Sequence, residues 1–271
     1  MEEGTFRRYP IGIQDFEQLR NNKYIYVDKT ALIYQLVSTN TVYFLSRPRR
    51  FGKSLLISTF EAYFLGKKEL FNGLDMEQLE KDWTVYPVLH IDFSGSKYME
   101  AESLRASINV QLLLWENIYG RQEGEDTFSL RLEGIIRRAY EQTGQQVVVL
   151  VDEYDAPMLD SNNNHDLQRE IRGIMRDFFS PLKKSGKYLR FLFLTGISKF
   201  SQMSIFSELN NLQNVSATGV ELFPVGHSGG SGGQQGAFPS FCTQTVGTGA
   251  SGGAECVQPA SGFRKQMRFE P

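Results

Sequence analysis

The sequence has few of the residues that build metal and disulfide sites. It holds two cysteines, Cys242 and Cys256, both within the last 30 residues, and three histidines, His90, His165 and His227. The body of the chain therefore has no disulfide framework, and the scattered histidines have no metal-ligand spacing. Charge of one sign is also lacking. Lys+Arg 29 against Asp+Glu 31 leaves a formal net charge of −2, with a pI near 6.0, so nothing draws the chain generally to nucleic acid or an anionic membrane. No apolar run approaches the roughly 20 residues of a membrane span. The purest run, Val147 to Val151, is of strand length. The opening Met1, Glu2, Glu3 is acidic where a secretory leader is basic and then apolar. No Ser/His/Asp or Cys/His nucleophile pattern appears. The expectation is a soluble cytoplasmic protein with no membrane segment.

At 41% hydrophobic the chain can bury a substantial core. Residues 1–216 read as one α/β domain. Apolar strand candidates fall at 41–46, 86–93, 147–151 and 189–195, and their continuous apolar character suits a parallel sheet covered on both faces. Amphipathic helices lie between them. Leu104, Ile108, Leu112, Trp115 and Tyr119 form one stripe ending at Gly120; Phe128, Leu132, Ile135, Ile136 and Ala139 form another; Leu167, Ile171, Ile174 and Phe178 precede Pro181. This alternation predicts right-handed βαβ crossovers. The stretch 23–37 reads as a short strand followed by a helix with Asp28 as its N-cap. Residues 217–271 differ: 12 of the 25 glycines lie there, with neither strand nor helix period, and the expectation is a disordered tail.

One stretch carries chemistry. "SRPRRFGKSLL" (46–56) ends like the phosphate-binding loop G-x-x-x-x-G-K-[ST], with Gly52, Lys53 and Ser54 in its second half. The first glycine is absent; Arg47 stands there, and Pro48 removes a backbone donor. The setting is nonetheless the required one, after the strand at 42–45 and at the start of a helix from Ser54 to about Leu65. Loop amides and the helix dipole there converge on phosphate oxygens. Lys53 would add charge at the β- and γ-phosphates, and Ser54 a hydroxyl ligand for Mg²⁺. Arg47, Arg49 and Arg50 either compensate for lost amides by direct phosphate contacts or form a solvated basic loop. The nucleotide-binding set is Arg49, Arg50, Phe51, Gly52, Lys53, Ser54 and Leu55, with Thr195.

A second stretch, "VVVLVDEYDAP" (147–157), supplies the acidic half. Asp152 ends a fully apolar strand, where it can hold Mg²⁺, and Glu153 can polarise an attacking water. Asp155 reads as a residue behind the site or as a turn cap before Pro157. Thr195, ending "FLFLT", is placed to sense a γ-phosphate, with Ser198 and Lys199 as weaker candidates. Arg169, Arg172 and Arg176 form a helical row that suits a solvated face better than an arginine finger.

Four blocks, "YPIGIQDFEQLRNNKYIYVDKT", "RPRRFGKSLL", "VVVLVDEYDAP" and "FLTGISKFSQMSIFSELNNL", resemble in order the bacterial AAA-ATPase-like family over residues 9–212. Its members usually carry a PD-(D/E)XK nuclease-like domain towards the C-terminus. The resemblance implies a three-layer α/β/α P-loop NTPase, mainly parallel, with an additional strand between the Walker A and Walker B strands and a short fifth strand near 212–215. It implies that Lys53 and Ser54 bind ATP and Mg²⁺, that Asp152 and Glu153 are the Walker B pair, and that Thr195 lies near the sensor position. The block holding Asp28 and Lys29 is expected near the nucleotide base. The tail resembles translation out of frame, so the expectation is a truncated member without nuclease carboxylates. ATP hydrolysis is the favoured activity. A nucleotide-dependent switch that engages a protein partner or itself, and a non-functional fragment, are the alternatives.

Overall fold

Five short strands supply the frame. The structure, a computed structural model, describes residues 8–198 and 212–216. In chain order its elements are α1 (Phe16–Asn21), α2 (Thr30–Thr39), β1 (Val42–Ser46), α3 (Lys53–Phe64), α4 (Asp75–Leu79), β2 (Val88–Asp92), α5 (Ala101–Tyr119) and α6 (Phe128–Thr143). Then follow β3 (Val147–Asp152), α7 (Ala156–Asp160), α8 (His165–Phe179), α9 (Pro181–Lys184), β4 (Leu189–Gly196) and β5 (Gln213–Asn214). Short 3₁₀ turns lie at Lys68–Phe71 and Gly186–Tyr188.

The strands form one sheet in the order β2-β3-β4-β1-β5, every pairing parallel. β4 therefore lies between β1 and β3, as the additional strand was expected to. The fifth strand is also where it was expected, on the outer edge of β1. β3 is buried along its whole length, which is why its sequence is aliphatic without alternation.

Alternate side chains on each strand serve different layers. Val148, Leu150, Phe191, Phe193, Tyr43 and Leu45 point to one face and pack with α1, α2 and α3. There Phe60 of α3 lies against Phe193 and Phe191 at ring separations of 4.7 and 5.1 Å. Val147, Val149, Val151, Leu192, Leu194 and Phe44 point the other way, onto α5, α6 and α8. The result is a three-layer α/β/α sandwich with two apolar cores separated by the sheet.

The three expected amphipathic stripes become α5, α6 and α8. The strand expected within 23–28 is absent. That segment follows α1 without a ladder partner, turns at Lys23 in left-handed backbone (φ 56), and sends the Ile25 N–H to the Arg8 carbonyl. Asp28 also stands one residue outside the cap position, which Lys29 occupies. Its Oδ1 still accepts the Thr30 N–H, and its Oδ2 accepts the Asp75 N–H, tying α2 to α4. The Gly/Ser-rich tail, Lys199 and the rest of the "SKFSQMSIFSELNNL" block up to Asn211 lie outside the described residues. Among the described residues no helix is long and apolar enough to cross a membrane.

Candidate functional site

In parallel α/β sheets ligands gather beyond the carboxyl ends of the strands, and the two chemical stretches of this sequence leave the sheet at that edge. β1 ends at Ser46 and enters the loop; β3 ends at Asp152; β4, between them, ends at Thr195 and Gly196. The loop start is anchored sideways, because Arg47 N–H donates to the Gly196 carbonyl at 3.1 Å and Ser46 Oγ donates to the Ile197 carbonyl at 2.9 Å.

The missing first glycine has a geometric explanation. Arg47 is not among the residues with positive φ; those in the loop are Arg50 (φ 68) and Gly52 (φ 71). Left-handed backbone thus falls at Arg50, three residues on from Arg47. Gly52 takes the left-handed conformation as the N-cap of α3, where its lack of Cβ costs least. Lys53, the first residue of α3, is 4% exposed, and its ammonium donates to the Pro48 carbonyl at 3.3 Å. Ser54 is half-buried one residue further into the helix; Arg49 and Arg50 are exposed.

Asp152 is buried, and its Oδ1 accepts from the Thr195 hydroxyl and from the Glu153 N–H. The same Glu153 N–H reaches Thr195 Oγ1 at 3.2 Å. Glu153 adopts left-handed backbone (φ 48), a conformation that needs support from its surroundings in a residue with a Cβ. Burial holds its carboxyl above the ordinary carboxylate range; Lys53 and then Arg49 oppose the shift, and Asp152 and Asp92 reinforce it. Lys53, Arg49, Asp152 and Glu153 therefore share one electrostatic neighbourhood, with Thr195 bonded into it.

Two of its members escaped the sequence reading. Asp92 ends β2 in register with Asp152; its position after an apolar strand was the signal. His90, two residues earlier, has Nδ1 2.9 Å from Glu61 Oε2 of α3. Burial disfavours its imidazolium, but the Glu61 bond and charge, with Asp152 and Asp92 beyond, outweigh that and raise its pKa. The arginine row lies on α8. Arg169 and Arg176 are exposed, and Arg169 pairs with Asp166 at 3.4 Å, in keeping with a solvated face, whereas Arg172 is half-buried and its Nε has no hydrogen-bond partner among the described residues.

Beside the loop opens a cavity of about 550 Å³. Phe51, Gly52 and Leu55 line it from the loop and α3, and Tyr9, Tyr26 and Lys29 from the N-terminal block.

The chain also has similar sequences among known proteins. A protein of Azotobacter chroococcum mcd 1, described as an uncharacterized protein in the vnfD 5' region, is 43% identical over 212 residues. The match covers 78% of this chain and 41% of that protein, so the chain spans about two-fifths of its relative's length. No solved structure matches. The model of the family described as "Predicted AAA-ATPase" matches residues 10–206, and the chain belongs to this AAA-ATPase-like family.

Proposed function

We propose that the chain binds ATP with Mg²⁺ and hydrolyses it at the sheet edge. The observation carrying this reading is that buried Lys53, whose ammonium hydrogen-bonds among the described residues to the Pro48 carbonyl, lies in the electrostatic neighbourhood of Glu153 and Asp152. A buried ammonium is costly unless an anion joins it, and a polyphosphate is the anion that a strand–loop–helix presents itself to. Lys53 and the loop amides would hold the β- and γ-phosphates; the exposed Arg49 and Arg50 would approach from outside.

Among the described residues no group of three or more His, Cys, Asp or Glu could hold a metal alone. That suits Mg²⁺, which takes one or two protein oxygens and completes its shell with phosphates and water. Asp152 fits, since its bonds to Thr195 and Glu153 use Oδ1 and leave Oδ2 for a ligand. Bound Mg²⁺, held by Asp152 and Ser54, would neutralise charge on the phosphates. Glu153 would orient a water for attack on the γ-phosphorus and take its proton, while the bond from that phosphorus to the bridging oxygen breaks and ADP leaves. A carboxyl held above its usual range is a better base for that step. Thr195, through Asp152, would fix the position of both.

The base would enter the adjoining cavity. Its walls include no carboxylate, and the Thr59 hydroxyl donates to the Leu55 carbonyl. Phe51, Tyr9 and Tyr26 would give a purine ring aromatic surface to lie against there.

Phosphate release and nucleotide affinity, measured with Mg²⁺, test the reading. Glu153→Gln should bind ATP yet lose about 10²–10⁴-fold in release, and Lys53→Ala should weaken binding by about 10- to 100-fold. Leu55→Trp, which fills the cavity, should weaken ATP while leaving tripolyphosphate unchanged. Tight ATP binding with no release by the wild type or by Glu153→Gln would make the protein a nucleotide switch. No binding of ATP or tripolyphosphate would end the proposal.

A further inference from the structure

Asp155 is fully buried and lies outside the chemistry above. It occupies the N-cap position of α7, where an aspartate ordinarily accepts from the second or third helical amide. Here it makes no such bond. Its Oδ2 instead reaches across to the segment leaving β4 and accepts the N–H groups of Ile197 (2.9 Å) and Ser198 (2.5 Å). Oδ1 has no hydrogen-bond partner among the described residues.

The surroundings are built for this reach. Tyr154 N–H donates to the Thr195 carbonyl at 3.0 Å, and Glu153 N–H reaches Thr195 Oγ1. At Gly196 a Cβ would lie 2.5 Å from the Tyr154 ring and 2.8 Å from Asp155 Oδ1, so only glycine admits the contact. Three consecutive residues after Asp152 thus grip the end of β4. The carbonyls of Gly196 and Ile197 hold the loop start through Arg47 and Ser46.

We propose that Asp155 is a positioning residue. Its carboxylate locks the turn bearing Glu153 to the turn after Thr195, so that the two move as one body and Glu153 keeps its left-handed backbone. The kinetic part of this inference rests on the ATPase reading; the structural part does not. A buried charge that caps the amides of another turn loses its purpose when the acceptor is removed, but an amide oxygen of the same shape can replace it.

The test compares the full chain with Asp155→Ala and Asp155→Asn in two arms. Amide exchange at Ile197 and Ser198 should quicken about tenfold or more in Asp155→Ala, stay near wild type in Asp155→Asn, and be unchanged within β1 and β3. Phosphate release should fall about tenfold or more in Asp155→Ala with ATP affinity held within about threefold, and recover in Asp155→Asn. Unchanged exchange in Asp155→Ala overturns the proposal. So does equal loss of release and binding in both variants, which marks a purely structural residue. If the wild type releases no phosphate, the ATPase reading fails and the exchange arm decides alone. Should Asp155→Ala not fold, Gly196→Ala, which drives a methyl group into the same contact, is read by the same arms.

Discussion

Two regions of this protein bury charge, and they do it in opposite ways. Between α5 and α6 every buried charge has its match. Arg131 forks onto Glu116 at 2.7 and 2.8 Å and reaches Asn109 at 2.6 Å. Arg138 forks onto Glu125 at 2.5 and 3.0 Å and caps the carbonyls of Tyr119 and Gly120. At the sheet edge the matching among the described residues is incomplete: the Lys53 ammonium hydrogen-bonds to one carbonyl, and Asp155 Oδ1 has no hydrogen-bond partner. Two glutamates show the contrast. Burial disfavours ionised Glu125, but the Arg138 bond and a backbone amide outweigh it and lower its pKa; burial prevails at Glu153 and raises it. Paired charges fix the 120–127 connection against α6. The charges at the sheet edge are the ones that the proposed nucleotide would complete.

Breaking a matched pair should have the largest effect on stability. Arg131→Ala leaves Glu116, 5% exposed in its side chain, with only the half-exposed Arg121 3.9 Å away, and should cost about 3 kcal/mol in urea unfolding without changing the proposed ATP affinity. Replacing both partners together, Arg131→Met with Glu116→Leu, should restore most of that loss; if it does not, the pair does more than satisfy itself. Gly134→Ala comes next. A Cβ there would meet Glu125 Oε1 at 1.9 Å, so the variant should lose about 1–3 kcal/mol through the displaced pair, although alanine ordinarily strengthens a helix.

The smallest effect is the most diagnostic. The lowered folded pKa of Glu125 means that it adds stability above its unfolded pKa, which is lost as pH falls through the folded value. Glu153, raised when folded, does the reverse. It costs stability above its folded pKa, and that cost fades as pH falls towards the unfolded value. At neutral pH Glu125→Gln should therefore melt below wild type and Glu153→Gln slightly above it, with both differences shrinking in acid. The same sign for both would erase the contrast.

Much of the fold was legible because the sheet is buried on both faces. "VVVLV" needs no neighbour to announce a central parallel strand, and helical stripes such as Leu104–Ile108–Leu112 name their own inward side. The loop residues of the candidate site were legible for a related reason: a loop fixed to strand and helix ends has a short spacing in sequence. The segment 23–28 misled because its β-branched and aromatic residues describe a strand equally well as a cavity wall. Nothing in the sequence singles out Arg131, Arg138 and Glu125, since a one-dimensional pattern cannot show that two charges bury each other. His90 was passed over for want of a second ligand in sequence, and its partner Glu61 lies 29 residues away.

By itself the sequence determined the main strands and helices of the parallel sheet and its layers and placed the loop and Asp152–Glu153 at strand ends, because these follow from local periodicity and from strand–loop–helix chemistry. The tertiary structure alone decided what those residues do to one another. Lys53 and Glu153 lie 100 positions apart and come near one another only because β1 and β3 run parallel in one sheet and end at the same edge. The direction in which Glu153 titrates, the diversion of Asp155 to the amides of Ile197 and Ser198, and the pairing of Arg131 with Glu116 were settled there too. Burial and charge act through distances in space, and a chain order does not contain them.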